Sequence, residues 1–332
     1  MDPSTRYRCF NVAAALARNG LKVSVISQSR FEKNIDLLGD FDRYIFHRPM
    51  ISDILGNFLH KKQQSEKIVA DFDDFIFDVR FAKLMPAHRF RGVSLTDTAR
   101  FLARNASASR YFSNFSLSTS PLADEVFRIF TPKNVVVSSN SLDPAFQGIA
   151  NIYRTKVSNK DRAYRFGYFA GTATHDSDLA SIAPAIVEAL KADKHARMLI
   201  LGPIKLPDPF KGFEARIEHR KQVVPFHQLP AVMAQVQTVI APLEINNFTR
   251  CKSGLKFFEA AAVGCAVVAT PIPDIERFES PLLRKVNGFD EWSEALLRPF
   301  ELSERQVENA AKAVCRLVDS DTVALKWLER IS

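Results

Sequence analysis

At 332 residues the chain is long for a single core and has room for two domains of about 150 residues each. Hydrophobic residues at 46% beside charged residues at 25% are the balance of a globular protein and exclude a disordered or fibrous chain. The formal charge of +8, with a pI near 9.3, favours anionic partners (nucleotide diphosphates, nucleic acid or an acidic membrane surface) without choosing among them.

The four cysteines, Cys9, Cys251, Cys265 and Cys315, show no C-x-x-C pair and no histidine at metal-ligand spacing, so they read as reduced thiols. No apolar run approaches the roughly 18 residues of a membrane span, and the opening MDPSTRYRCFNVAAALARNG has no adequate signal core. The cytoplasm is therefore the expected compartment.

In chain order, residues 6–18 carry Phe10, Val12, Ala13, Leu16 and Ala17 at helical spacing with Gly20 as a stop, and KVSVIS at 22–27 alternates as a strand. An α/β sheet of this kind normally begins with a strand and a Gly-rich turn, and neither precedes this helix. Either the native start lies upstream or the protein lacks that first strand. RYIFH, residues 51–60 and KIVADFDDFIF then predict strand, helix and strand, and FSLSTS, PLADEVFRIF and NVVVSSN repeat the alternation. Strands interleaved with helices predict a parallel, doubly wound sheet for residues 1–150.

Within that half, DFDD at 71–74 places Asp71, Asp73 and Asp74 at the carboxyl end of a strand, where open α/β sheets bind ligands. A divalent cation, the shaping of an interdomain cleft and simple loop capping are the three readings of this cluster. Residues 101–112, with Arg100, Arg104 and Arg110 among aromatics, read as nucleic-acid binding, as an amphipathic helix with bases outward, or as a membrane-facing basic helix. From about 144 to 164 the composition turns polar without a clear period, and the interdomain linker is expected there.

The second domain, 163–318, opens with RFGYFAGTATHDSDLASIAPAIVEAL. An apolar strand runs into Gly171, then a polar loop with Thr172, Thr174 and His175, then a helix with Leu179, Ile182, Ala183, Ile186 and Leu190 on one face. Glycine permits close backbone approach, and hydroxyls beside a helix N-terminus suit a phosphate, although such residues are often only caps. RMLILGP reads as a buried strand, and VVPFHQLPAVMAQVQTVIAPLE as strand, helix and strand. Helices are expected at about 291–297, 303–318 and 322–331, the last with apolar surface enough to pack back on the first domain or to serve as an ordinary packing helix.

The stretch APLEINNFTRCKSGLKFFEAAAVGCAVVATPIP at 241–273 reads as strand end, polar loop, helix, glycine stop and buried strand. Arg250, Lys252, Ser253 and Lys256 gather where the helix begins, and its unpaired N–H groups and dipole already favour an anion there. Lys252 and Lys256, four apart, are expected on one helix face, with Glu259 one turn further on. A solvated basic helix start, with Glu259 as the intrahelical partner of Lys256, is the plain alternative.

These residues carry a resemblance. SGLKFFEAAAVGCAVVATP resembles the nucleotide-sugar site of the retaining glycosyltransferases of family 4, which have the GT-B fold. Asn246, Phe248, Lys252, Ser253, Lys256, Phe257 and Glu259 match a subgroup with N-x-F followed by K-S-x-x-K-F-x-E, and the 171–178 loop is similar to that subgroup's G-T-x-T-H-x-x-D. The first of the two glutamates that frame the family's site falls at Cys251 here, so the sugar contacts do not carry over.

The resemblance implies two Rossmann-like domains facing a cleft, with Gly171, Thr172, Thr174, His175, Arg250, Lys252, Ser253, Lys256 and Glu259 at the nucleotide sugar. It implies that Lys256 neutralises the departing diphosphate and that Glu259 holds the ribose hydroxyls. Phe226 and His227 would lie beside the base, His227 being equally readable as a helix cap. The implied activity is metal-independent hexosyl transfer from a nucleotide diphosphate sugar to a saccharide or lipid-linked acceptor, as in surface polysaccharide or glycan synthesis. No further cofactor and no nucleic acid is implied; peripheral contact with the inner face of a membrane is compatible with it. A nucleotide-sugar epimerase and a catalytically degenerate sugar-nucleotide-binding protein are the other readings.

Overall fold

The computed structural model describes residues 3–63, 65–172 and 176–331, which form two compact units. The first comprises Met1–Ser141, Cys251–Ser253 and Ser320–Ser332; the second comprises Leu142–Arg250 and Gly254–Asp319.

In the first unit a short helix α1 (Pro3–Thr5) passes through a π-helical stretch at Arg6–Phe10 into α2 (Asn11–Arg18). Then follow α3 (Gln28–Lys33), β1 (Tyr44–His47), α4 (Asp53–Lys61), β2 (Ile68–Phe72), α5 (Pro86–Arg91), α6 (Leu95–Ser109), β3 (Asn114–Leu117), α7 (Ser120–Ile129) and β4 (Asn134–Val137). The four strands pair in parallel in the order β1-β2-β3-β4. β2 and β3 are buried along their whole length, as central strands covered on both faces must be.

The alternation at 22–27 does not yield a strand: residues 21–27 are irregular, and Val23, Val25 and Ile26 are exposed. Alternation supplies a face to bury, but a strand also needs a neighbour for its backbone groups, and among the described residues β1 pairs only with β2.

The second unit begins with α8 (Pro144–Lys156), where the polar composition suggested an irregular linker. Asp143 accepts the Phe146 N–H as N-cap, Pro144 starts the helix, and Phe146 and Ala150 are buried. β5 (Tyr164–Phe169), α9 (Asp176–Ala192), β6 (Met198–Leu201) and β7 (Ile217–Arg220) follow; the strand before the 226–233 helical segment is thus IEHR and not the VV of 223–224. Next come α10 (Leu229–Met233), β8 (Val236–Ala241), α11 (Leu255–Ala262), β9 (Ala266–Ala269), α12 (Pro273–Glu276), β10 (Leu283–Lys285), α13 (Phe289–Leu297) and α14 (Glu304–Leu317). Six parallel strands run in the order β10-β9-β8-β5-β6-β7. One core of this unit packs α9 and α13 on a sheet face through Leu179, Ile186, Tyr168, Ile200, Ile240 and Trp292.

The terminal helix α15 (Ser320–Ile331) groups with the first unit. Trp327 and Ile331 join Ala15, Leu16, Val69 and Val136 in one apolar cluster, and the Trp327 indole donates to Ser116 Oγ at 3.0 Å. Arg18 adds an ion pair to Asp321.

Candidate active site

In the second unit the carboxyl ends of β5, β6, β8 and β9 lead into the residues of interest, as parallel sheets direct their functional loops to that edge. Gly171 is exposed just beyond β5, and Thr172 beside it is half-buried. Thr174 and His175 lie outside the described residues. Gly202, after β6, approaches the same strand end so closely that a Cβ on it would come within 1.9 Å of the Ala170 carbonyl oxygen.

The loop after β8 is set by its own side chains. Asn246 Oδ1 accepts the N–H groups of Phe248 and Thr249, Thr249 Oγ1 accepts the Asn246 N–H and donates to the Glu244 carbonyl, and Phe248 is buried. The Glu244 N–H donates to buried Asp178 on α9 at 3.0 Å, and the Leu243 N–H to Thr270 after β9 at 2.9 Å. Arg250, half-buried, ends this loop in a short 3₁₀ turn.

The helix start differs from the expectation in one respect. α11 begins at Leu255 with Gly254 as its N-cap, so Lys252 and Ser253 precede the helix and Lys252 does not share a helix face with Lys256. Buried Asp274 accepts the Gly254 N–H at 2.6 Å, so the chain itself supplies one carboxylate to the helix mouth. Lys252 turns to Asp74, 2.8 Å away, within the first unit. Lys256, half-buried in the first turn, places its amine 5.6 Å from the ring centroid of Tyr168 on β5. Burial, with Asp178 and Asp176 adding to it, holds the Tyr168 hydroxyl well above its usual range, so that ring stays neutral under the cation. Glu259 is 6% exposed on the following turn, and Gly264 (φ 76°) turns the chain into β9.

Residues 166–319 match the family model described as Glycosyl transferases group 1. The domain so matched contains Gly171, Arg250, Lys252, Lys256 and Glu259. Among curated proteins none matches the sequence. Solved structures do. AviGT4, a glycosyltransferase involved in avilamycin A biosynthesis, is 15% identical, with 99% of this chain and 89% of that chain covered at a TM-score of 0.60. HepE of Anabaena in complex with UDP is 12% identical over 99% and 96%, TM-score 0.60. The UDP-forming α,α-trehalose-phosphate synthase of Burkholderia xenovorans, in complex with glucose-6-phosphate, is 12% identical over 99% and 82%, TM-score 0.60. At these identities the likeness establishes the fold: two Rossmann-like domains of GT-B type. With the glycosyl transferase domain it supports glycosyl transfer as the chemistry.

Outside the matched glycosyl transferase domain, the first unit holds a charge network that the acidic motif only half disclosed. Asp71 is buried and accepts from Arg8, His47 and Ser116. Burial opposes its ionisation, but the Arg8 charge and the His47 hydrogen bond outweigh that and hold the carboxyl well below the usual carboxylate range. Asp73 accepts from Ser4 at 2.6 Å and from Arg48 at 2.7 Å, and Asp74 from Arg48 and Lys252 at 2.8 Å each. Arg48 holds this position with φ 51°, the one positive φ outside glycine among the described residues. The three carboxylates are therefore engaged by cations and hydroxyls of the chain.

Ser4, Arg8, His47 and Arg48 escaped the sequence reading. Arg8 had a signal: it shares a helical face with Asn11 and Ala15, and a cation on a face that is otherwise buried needs a buried partner. His227 is exposed in a 3₁₀ turn, and Gln228, not His227, is the N-cap of α10; Phe226 packs on Phe146 with ring centroids 5.0 Å apart. Cys251 is wholly buried, and its carbonyl accepts from Thr119 Oγ1 at 2.9 Å.

Proposed function

We propose that the protein is a retaining glycosyltransferase that moves a hexosyl group from a nucleotide diphosphate sugar to a saccharide or lipid-linked acceptor, in the synthesis of a surface polysaccharide or glycan. One observation carries this reading: Lys256, in the first turn of α11, lies over Tyr168 of β5 at the edge where Gly171, the 243–250 loop and Thr270 also emerge. Support comes from the domain match at 166–319 and from the GT-B fold.

As the bond between the anomeric carbon and the diphosphate breaks, negative charge grows on the departing phosphate. Cations held in place beforehand stabilise that charge most. Lys256 fills this role, with Arg250 in the 3₁₀ turn that precedes α11 as the second cation, and the backbone N–H groups in the first turn of α11 add oriented donors. Glu259 accepts the ribose hydroxyls. In this reading the chain's own cations neutralise the diphosphate, so EDTA leaves turnover unchanged.

Thermal unfolding with nucleoside diphosphates and their sugar conjugates tests the proposal. A conjugate at about 100 times its Kd adds roughly 2.7 kcal/mol to stability. Absence of stabilisation by every nucleoside diphosphate removes the proposal, and an altered sugar nucleotide formed without any acceptor replaces it with an epimerase.

A further inference from the structure

α11 is eight residues long, and its first turn is poorly supported by its own sequence. An isolated helix shorter than about 12 residues is marginal in water, so the start of α11 has to be fixed by partners outside it. Serine is the stronger capping residue, yet the N-cap is Gly254 and not Ser253, and Lys256 sets a cation in the first turn, where the helix dipole disfavours it. The far end of the helix is tied twice. Arg154 on α8 donates to the Ala262 carbonyl and pairs with Glu308 on α14 at 2.6 Å, and buried Arg162 donates to the Val263 carbonyl at 2.8 Å.

At the near end the tie comes from Asp274 on α12, the short helix that follows β9. Asp274 is buried; its Oδ2 accepts the Gly254 N–H and its Oδ1 accepts Arg277 Nε, at 2.6 Å each. One oxygen is thus held by a guanidinium while the other holds the start of α11. The approach is close enough to leave no room for a side chain at the cap: a Cβ on Gly254 would come within 2.9 Å of Ile275 Cδ1 and 3.4 Å of Asp274 Oδ2. The carboxylate also lies at the end of the dipole that favours negative charge, which offsets the cost of Lys256 in the same turn.

We propose that Asp274 is a positioning residue for the diphosphate site: by fixing the start of α11 it keeps Lys256, in the first turn, and Glu259, on the next, in place for the sugar nucleotide. The proposal rests on the sugar-nucleotide reading of α11. Asp274 acts through the helix and not on the ligand. A frayed first turn takes the Lys256 amine and the oriented N–H groups out of register, and apparent affinity falls with the fraction of molecules in which that turn is formed. What the site needs from Asp274 is an acceptor oxygen at one position. Asparagine has that oxygen and should stand in for it; alanine lacks it, and glutamate carries it one methylene further out.

Calorimetric titration of the full chain with UDP, GDP, ADP, CDP and dTDP, paired with amide hydrogen exchange in the absence of nucleotide, tests it. For whichever nucleotide binds the wild type, Asp274→Ala should weaken affinity about tenfold at a temperature where the variant is folded, and Asp274→Asn should restore it to within about threefold. Asp274→Glu, which keeps the charge but displaces the oxygen, should weaken it as well, and it carries the test if the alanine variant does not fold. Exchange at residues 254–258 should quicken in Asp274→Ala and Asp274→Glu, with residues 260–262, beside the Arg154 tie, unchanged. Asp193→Ala removes a carboxylate paired with Arg165 elsewhere in the unit; it should lower Tm yet move neither readout. Wild-type affinity in Asp274→Ala or Asp274→Glu, equal losses in the alanine and asparagine variants, or unchanged exchange at 254–258 each overturns the proposal. If none of the nucleotides binds the wild type, the sugar-nucleotide reading falls and the role at a diphosphate falls with it; quickened exchange in Asp274→Ala then marks that failure as one of the reading and not of the tie to α11.

Discussion

Arg8 and Asp71, 63 residues apart in sequence, face each other in the interior of the first unit with 2% and 4% of their side chains exposed, and Arg8 Nε donates to Asp71 Oδ2 at 3.1 Å. Arg8 also donates to the Ser138 carbonyl and to Ser116, so one guanidinium ties the helix start to the ends of three strands.

Removing either partner leaves a buried charge unmatched. Arg8→Met should cost about 3–5 kcal/mol in urea unfolding. The pH dependence follows from the depressed Asp71 carboxyl: its contribution is complete above the unfolded value of about 3.9 and is lost as pH falls from there through the lower folded value. Stability should therefore drop below about pH 4, and Asp71→Asn should flatten that limb while lowering stability at neutral pH. An acid limb of unchanged slope in Asp71→Asn counts against this assignment.

The two lysines near the start of α11 should not be equivalent. Lys252 is held by Asp74 at 2.8 Å, whereas the Lys256 amine lies over the Tyr168 ring. Lys256 belongs to the first turn of α11, where the oriented N–H groups favour an anion, whereas Lys252 precedes the helix. Lys256→Ala should weaken binding of the cognate nucleoside diphosphate about 10- to 100-fold by calorimetry, the range for a charge-assisted hydrogen bond. Lys252→Ala should weaken it less. Equal affinity in wild type and Lys256→Ala would falsify the assigned role.

Two glycines differ in what surrounds them. A Cβ on Gly202 (φ 123°) would meet a backbone oxygen, that of Ala170, at 1.9 Å, while one on Gly264 (φ 76°) would meet the side chains of Val307 and Arg154 at 2.9 and 3.1 Å. Side chains shift more readily than backbone. Gly202→Ala should cost about 3 kcal/mol or more, and Gly264→Ala about 1–2, in thermal unfolding; the reverse order contradicts the argument.

Trp327 anchors α15. Trp327→Ala should cost about 3–5 kcal/mol, and Trp327→Phe, which keeps most of the packing but loses the bond to Ser116, about 1 kcal/mol. Comparable losses in the two variants would mean that the indole N–H, and not the ring's bulk, dominates.

What the sequence disclosed follows from how local its causes are. Strands covered on both faces, such as the AVVA of β9 and the MLIL of β6, announce themselves as unbroken apolar runs, and Gly264 marks the end of α11 because the stop needs a positive φ. The failures come from distant partners. The alternation at 22–27 lacks a neighbour to pair with, and the polar run at 144–156 is helical because Phe146 and Ala150 find a core that the run itself does not show. Lys252 leaves the helix face because Gly254 caps at Asp274, twenty positions on. Around the candidate site the placement of Lys256 and Glu259 on one helix was legible from the local pattern; the network of Ser4, Arg8, His47 and Arg48 was not, since its members meet only once the sheet has formed.

The placement of α15 sets an order on synthesis. Val69 and Val136 of the first sheet share their apolar cluster with Trp327 and Ile331, which leave the ribosome almost two hundred residues after β4. Until then α2 and those strands present an uncovered face, while the second sheet has every strand it needs once Lys285 has emerged. The unit whose chain is made first is thus finished last, and a nascent chain stalled before Ser320 is the form a chaperone would be expected to hold.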